Sequence, residues 1–389
     1  MDIRDLTADD LDAVLDLRKR AFGPISASDV ATFRKMVNPT LAAGRYLGAF
    51  DGGRLAAATR LRPFTQWWHG KPQPMSGIAG VTVSPEDRGR GVGRLIMRAT
   101  IERAAELGDA VSALYPATTP IYRSLGYEHA GAQHLMSLPA EALRTIRQTK
   151  DVKLRRMGPD DAAEVIALLH RVHGAARASG PISYGEDIWR LWLEDEDDFL
   201  YLADDGFVIY RWDGPDIEVD TLVAGSVETA RALWSLVGTS SSIAKRVKAV
   251  VTPDDPVLWL LRERSKETAD QVRWMFRVID LDAAVTRRGY SAAVRGAAVV
   301  RVEDPLRAGN AGVWRLEFDG GSGAATRLDT GSQQGEADAP ALSANGFSAL
   351  YAGVPTATLR RGGLMTGDER HDEVLDAAFH ARPYMLDYF

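Results

Sequence analysis

The chain contains no cysteine. That excludes disulfides, zinc–thiolate sites and a thiol nucleophile, and it suits a reducing compartment. No apolar run approaches the roughly 18 residues that a membrane helix needs. Met1-Asp2-Ile3-Arg4-Asp5 lacks the basic-then-apolar order of a secretory signal, so a cytoplasmic location is expected. Positive charge is not in excess either: 47 Lys and Arg stand against 53 Asp and Glu, a net charge of −6. Nucleic-acid binding calls for a basic face and is not expected, whereas a cationic ligand suits this balance. His170 and His173 stand at i, i+3 with no third ligand in view, so no metal site is expected.

What is present is ordinary material for packed cores. Of 389 residues, 45% are hydrophobic and 26% charged, which at about 100–200 residues per domain gives two or three domains. An internal echo divides the chain. Ile3-Arg4-Asp5-Leu6-Thr7-Ala8-Asp9-Asp10-Leu11 reads as strand, turn and helix, and Leu154-Arg155-Arg156-Met157-Gly158-Pro159-Asp160-Asp161-Ala162 repeats that layout. Thr7 and Asp160 are the expected helix-start signals. A duplicated domain follows, with a first copy over 1–145 and a second over 146–280. The remainder, 281–389, has a different grammar. Gly312-Val313-Trp314-Arg315-Leu316-Glu317-Phe318 alternates as a one-sided strand does. Residues 329–339 are rich in Gly, Ser, Asp and Gln and read as a turn or loop. Residues 372–379 read as a helix that Arg382-Pro383 ends.

The chemistry concentrates in the first copy. Gly77-Ile78-Ala79-Gly80-Val81-Thr82-Val83 is a β-rich run stopped by Ser84-Pro85. Then come Arg88, Gly89, Arg90, Gly91, Val92, Gly93 and Arg94 at the start of a helix whose apolar positions (Val92, Leu95, Ile96 and Ala99; Met97, Ile101 and Ala104) predict burial on two sides. A strand entering a glycine-rich turn presents several backbone N–H groups at a helix start, an arrangement suited to a pyrophosphate. The three arginines add charge-assisted donors. Val111-Ser112-Ala113-Leu114 reads as the next buried strand, followed by Pro120-Ile121-Tyr122-Arg123-Ser124-Leu125-Gly126-Tyr127.

Arg-x-x-Gly-x-Gly after a strand, then helix, strand and Tyr-x-x-Leu-Gly-Tyr, resembles the acetyl-CoA-binding core of the GNAT acetyltransferases. The whole chain is similar to the Eis (enhanced intracellular survival) family of that superfamily. The similarity rests on the stretch 77–126, Asp255-Pro256 with Leu260-Leu261, Arg288-Gly289-Tyr290, Ser348-Ala349-Leu350-Tyr351-Ala352-Gly353 and the aromatic C-terminus. It implies a multidomain α/β and α+β protein. Two tandem GNAT-like domains, each a mixed sheet flanked by helices, precede a sterol-carrier-like α+β domain.

The resemblance also implies a function. Acetyl-CoA is the expected co-substrate and a small-molecule amine the expected acceptor, with aminoglycosides as the model class and more than one amine open to reaction. Lysine side chains of proteins, or a lipid held by the last domain, are the alternatives. Tyr122 matches the family's general acid, and the terminal carboxylate of Phe389 its general base. Val81, Thr82 and Val83 would pair with the pantetheine arm, Gly89 to Arg94 would hold the pyrophosphate, and Ala117 and Thr118 would contact the reacting end. Tyr388 stands where the family pattern has an acidic residue, with Asp387 one place earlier. A homohexamer is implied as well. The turn before the second copy's equivalent helix, Gly225-Ser226-Val227, lacks the arginines and repeated glycines, so that copy is expected not to bind CoA. Phe33, Phe64, Trp67, Trp68, Trp189 and Trp192 are candidates to line an acceptor cleft, and the run 194–198 is an acidic loop.

Overall fold

The structure, a computed structural model, describes residues 1–263, 265–328 and 339–389, with Ala27 and Ser28 described in their backbone alone. Residues 329–338, most of the glycine- and serine-rich turn read from the sequence, lie outside it.

The internal echo has a shared ion pair at its root. In the first copy Asp10 accepts the Thr7 amide at 2.8 Å and pairs with Arg4 at 2.8 Å. In the second, Asp161 accepts the Gly158 amide at 2.8 Å and pairs with Arg155 at 2.8 Å. Each carboxylate thus satisfies a free helix-start donor and fastens the preceding strand. The Arg4 guanidinium pulls the Asp10 carboxyl down to about 2, and Arg155 lowers that of Asp161. The second start signal is therefore Asp161; Asp160, read from the sequence, is exposed.

The first copy runs β1 (Asp2–Asp5), α1 (Leu11–Phe22), α2 (Ala27–Ala42), β2 (Tyr46–Asp51), β3 (Arg54–Trp68), β4 (Lys71–Val83), α3 (Val92–Glu106), β5 (Val111–Leu114), α4 (Thr119–Arg123) and β6 (Glu128–Pro139). The second runs β7 (Arg155–Arg156), α5 (Ala162–Ala175), β8 (Ile182–Ser183), α6 (Glu186–Trp192), β9 (Phe199–Ala203), β10 (Gly206–Asp213), β11 (Asp216–Ala224), α7 (Val227–Gly238), β12 (Arg246–Val251), α8 (Val257–Leu260) and β13 (Thr268–Val278). The third holds α9 (Leu281–Arg287), β14 (Gly296–Glu303), β15 (Gly312–Asp319), β16 (Ser322–Leu328), β17 (Ala341–Ser343), α10 (Ala344–Tyr351), α11 (Thr356–Arg361), β18 (Met365–Thr366) and α12 (Asp372–Phe379).

The two copies share one 13-stranded sheet, in the order β1-β2-β3-β4-β5-β13-β6-β12-β11-β10-β9-β7, with β8 on β3. They exchange their last strands. β13 is inserted between β5 and β6, antiparallel to both, and β6 pairs onward with β12. The third segment forms a separate sheet, β16-β15-β14-β17-β18. There β15 alternates as its sequence predicts from Trp314 on, burying Trp314, Leu316 and Phe318 and exposing Arg315 and Glu317, while Val313 on the other face is buried too.

On one face of the large sheet, α3 packs Met97, Ile101 and Ala104 against Leu61, Ile78 and Leu114. Leu95 of α3 is exposed, so this helix is buried on one broad face and not on two. The opposite face carries a core that runs continuously into the second copy and the third segment. Trp67 and Trp68 are fully buried in it at the end of β3, and the turn is left to His69 and Gly70. They are core residues, not lining of a cleft.

Strand exchange makes the first copy incomplete alone. Without β13, the facing edges of β5 and β6 present unpaired N–H and C=O groups. A fragment of residues 1–145 is expected to give no cooperative thermal transition by circular dichroism. A soluble monomeric fragment with a sharp transition would contradict this.

Candidate active site

The site begins as a gap in the sheet. β4 and β5 pair in parallel over Met75↔Val111, Ser76↔Ser112 and Gly77↔Ala113 only. β5 ends at Leu114, while β4 continues to Val83. Past Gly77 the edge of β4 therefore has no ladder partner on that side among the described residues. Within this stretch β4 also bulges: Arg60 faces Ala79 and Ala58 faces Thr82, so Gly80 and Val81 stand against Thr59 alone. Gly80 takes φ +60, which its lack of a Cβ permits. A bulge turns a backbone amide away from the ladder, here beside the opening. Thr82 is buried and donates to the Ala58 carbonyl at 3.4 Å. Val81, Thr82 and Val83 thus offer an open strand edge to an extended, amide-bearing chain. The strand was legible in the sequence and the bulge was not, although an isolated glycine within a β run is its signal.

At the end of β4 the chain turns through Gly89 and Gly91, with φ +77 and +79. Gly91 is the N-cap of α3 and has no side chain to satisfy the first-turn amides. Gly93 sits in a close junction: a Cβ there would lie 3.2 Å from Ile121 of α4 and 3.5 Å from Val83 of β4. The free amides, the helix dipole and the absence of bulk make an anion cradle. Arg88 and Arg94 are exposed beside it and form no ion pair among the described residues. Arg90 does otherwise. It pairs with Asp87, which is buried and also bound by Arg54 at 2.7 Å, and with Asp51 at 3.5 Å. Arg54 and then Arg90 hold the Asp87 carboxyl below the usual range. Arg90 is thereby tied into the scaffold of the turn through one of its terminal nitrogens.

The second copy shows the contrast. Ser226 caps α7 by accepting the Thr229 amide at 3.3 Å, and the Thr229 hydroxyl is bound to Asp205. Its first turn is satisfied internally and faces a carboxylate, which disfavours phosphate.

Beyond β5, Ala117 and Thr118 are exposed, and Thr118 is the N-cap of α4. Tyr122 packs among Ile78, Leu114 and Met97, its ring 6.2 Å from that of Tyr127. The Tyr127 hydroxyl meets Ser112 at 2.8 Å; no group among the described residues hydrogen-bonds that of Tyr122. Burial pushes the Tyr122 phenol above its ordinary range, so it keeps its proton at neutral pH.

The chain end arrives on the other face. Residues 384–389 lie along the seam between the copies. The Tyr384 amide donates to the Ser179 carbonyl at 3.1 Å and that of Met385 to Ala132 at 3.3 Å. Gln133 donates to the Leu386 carbonyl at 3.0 Å, and the Tyr115 hydroxyl to that of Asp387 at 2.9 Å. The Phe389 ring lies 4.8 Å from Phe64 and 5.6 Å from Tyr115. A Cβ on Gly77 would come within 2.7 Å of it, so Phe389 covers the point where β4 and β5 part. Tyr122 belongs to the same buried cluster as Ile78 and Leu114, the next residue of each strand, on the α3 face. The structure thus brings the two expected catalytic residues to opposite faces of one opening.

Sequence reasoning missed Arg62 and Tyr184 beside that end. Burial pushes the Asp387 carboxyl up to about 6, against the pull of Tyr184 and Arg62. Arg62 lies over the rings of Phe64 and Tyr184 at 5.2 and 5.3 Å. Alongside is a cavity of about 270 Å³ between α2, β3 and α6, lined by Met36, Arg60, Arg62, Phe64, Tyr184 and Asp187, among others. A larger cavity of about 470 Å³, with His69, His173, Asp255 and His380 in its walls, touches neither Tyr122 nor Phe389. Of the aromatic candidates, Phe64 lines the smaller cavity and Trp189 is buried in core. His170 and His173 pack on Trp67, each at 5.0 Å.

The open β4 edge and the uncapped start of α3 fit the pantetheine arm and pyrophosphate of acetyl-CoA. Arg88→Ala and Arg94→Ala are each expected to raise the KM for acetyl-CoA about 5-fold or more by removing a charge-assisted contact, while Arg90→Ala acts mainly by lowering Tm. Steady-state kinetics and thermal melts separate the two. For Asp387, a folded pKa above the unfolded one means that stability falls as pH rises from about 4 through 6. Asp387→Asn should flatten that part of the pH–Tm profile, and an unchanged slope would refute this.

Residues 2–130 match an acetyltransferase (GNAT) domain, residues 180–278 a second acetyltransferase (GNAT) domain, and residues 281–386 a sterol carrier protein domain. The crystal structure of a GCN5-related N-acetyltransferase from Kribbella flavida is 44% identical, covers 100% of this chain and 98% of its own, and superposes with a TM-score of 0.95. The N-acetyltransferase Eis of Mycobacterium tuberculosis is 27% identical over 79% of this chain and 78% of its own length. Eis1 from Mycobacterium abscessus, at 22% identity, shares the fold over 100% of both chains with a TM-score of 0.77. With two acetyltransferase folds, a sterol-carrier-like third segment and an anion cradle at the start of α3 in the first fold, the chain belongs to the GCN5-related N-acetyltransferases, among the Eis-like enzymes.

Proposed function

We propose that this N-acetyltransferase acetylates an amine held in the cavity between α2, β3 and α6, with Tyr122 as general acid and the terminal carboxylate of Phe389 as general base. The observation that carries this reading is the position of Phe389 and Tyr122 on opposite faces of the gap between β4 and β5. A nucleophile entering from one face and a leaving group departing from the other require a base on the first and an acid on the second.

Acetyl-CoA supplies the acetyl group as a thioester. The amine arrives protonated at neutral pH, and the Phe389 carboxylate accepts its proton, directly or through water. The bulged amides near Gly80 and Val81 are placed to meet charge that develops on a carbonyl oxygen. The Tyr122 phenol, raised by burial, donates its proton to the departing sulfur. A phenol of pKa about 10 or above is matched to a thiolate of about 8–9. The C–S bond breaks and the C–N bond forms; nitrogen gives up two protons on the Phe389 face, one before attack and one as the tetrahedral adduct collapses, while sulfur gains one from Tyr122, which solvent then reprotonates.

Compounds with several amines, aminoglycosides among them, are one acceptor class this reading admits, with more than one position open to reaction. What supports this is Asp187 in the cavity wall, with Asp387 and the chain's own terminal residue against the lining residues Tyr184 and Phe64, since carboxylates draw cations. The lipid-binding alternative finds less support. In the third segment the buried Arg288 guanidinium sits over Trp68, Tyr290, Tyr351 and Phe379 at 4.8–5.6 Å and donates to the Tyr351 and Phe379 carbonyls. A cation inside an aromatic cage fills space that a lipid would need.

Tyr122→Phe is expected to lower kcat by about 10²–10⁴ with little change in the KM for acetyl-CoA. Removing Phe389 should lower kcat/KM for the amine by a similar factor. Thiol release with an acceptor panel measures both, and near-normal turnover without Phe389 would rule out the terminal carboxylate as base.

A further inference from the structure

The cavity holds cations as well as carboxylates. Arg60 is only 8% exposed, lines this cavity, and forms no ion pair or hydrogen bond among the described residues. Its neighbours add to the imbalance. Arg60 and Arg18 lie over the same Phe33 ring, at 5.8 and 5.0 Å, and Arg18 is likewise without an acidic partner among the described residues. Arg18 also reaches the bulge, its Nη1 3.8 Å from where a Cβ on Gly80 would stand. Arg62, two residues along β3, lines the same cavity. Burial, with Arg62 and Arg18 adding repulsion, pulls the Arg60 guanidinium down to about 10. The nearby acids do not neutralise it. Glu186 is bound to Arg190 at 2.7 Å, Asp187 is exposed, and Asp387 faces Tyr184 and Arg62.

A buried cation kept without a counter-ion is costly, and a folded chain retains one readily where a ligand brings the missing charge. A guanidinium fork matches a carboxylate in shape and charge. We propose that the acceptor carries a carboxylate as well as its amine, and that Arg60, with Arg62, receives that carboxylate. The acceptor is then of the amino-acid type. Its amine lies toward Phe389, its carboxylate toward β3, and its apolar part against Phe64 and Tyr184. This rests on the acetyl-transfer reading of the site, and it narrows the acceptors from amines at large to zwitterions. Aminoglycosides, which bring only positive charge, would leave Arg60 unmatched.

The test uses matched pairs, in which an amino acid is compared with the amine it gives on decarboxylation: lysine with pentane-1,5-diamine, and tyrosine with tyramine. Thiol release in the presence of acetyl-CoA should favour the acid by 10-fold or more in kcat/KM for at least one pair. Arg60→Gln should bring that ratio toward 1 through the KM of the acid, and Arg60→Lys should restore part of it. No pair favouring the acid, or a ratio unchanged in Arg60→Gln, overturns the proposal. Arg60→Met separates this role from a structural one, because loss of an unpaired buried cation should leave Tm equal or higher, whereas a fall of several degrees speaks for a scaffold role and against the proposal. Calorimetry with the same pairs and no acetyl-CoA keeps the two readings apart. Tighter binding of the acids without any turnover would sustain the arginine site while refuting acetyl transfer there, and equal binding together with turnover would do the reverse.

Discussion

Strand β13 between β5 and β6 is the constraint on which the rest of the structure depends. The strand closes the second acetyltransferase fold in sequence, yet it pairs with β5 of the first fold over Met275↔Leu114 to Val278↔Val111. In return β6, the last strand of the first fold, pairs with β12 of the second. Each fold thus satisfies backbone groups that the other leaves open, and neither has a complete sheet alone. The active site inherits this. β5 is short, and its far edge is held by a strand from elsewhere in the chain, so the gap toward β4 is fixed by both copies together.

The same strand ties in the third segment. Arg277 of β13 is buried, donates to the Leu125 carbonyl at 2.6 Å, and pairs with Asp304 at 2.8 Å. Its guanidinium passes over Gly126, where a Cβ would collide with it and where φ is +85. Asn345 donates to the Arg123 and Tyr127 carbonyls at 2.9 and 2.8 Å. Both carbonyls flank the turn that follows Tyr122. The third segment therefore holds the Tyr122 helix from one side and delivers Phe389 to the other. Placing Tyr122 and Phe389 is its structural contribution.

Duplication left two similar scaffolds with opposite electrostatics at the key turn. The first keeps Gly91 as a cap without a side chain and keeps two arginines uncommitted. The second fills the cap with Ser226 and sets Asp205 beside it. The root of each copy, Arg4 with Asp10 and Arg155 with Asp161, recurs because it closes a strand to a helix.

The sequence by itself determined what depends on neighbours along the chain. The duplication, the strand–glycine turn–helix order, the one-sided β15 and the final helix all follow from local periodicity and from residue types that permit few conformations. The glycine-rich turn was legible for the same reason: positive φ and uncapped amides are properties of consecutive residues. Only the tertiary structure decided the rest. Nothing in β13 marks it as the partner of β5, because apolar strands pair equally well by pattern. Arg90 and Arg60 look alike as sequence, yet one is paired with Asp87 and the other pairs with no acid among the described residues. Whether a charge is spent or available depends on what folding brings beside it, and in this chain folding brings the far end of the molecule to the gap where β4 and β5 part.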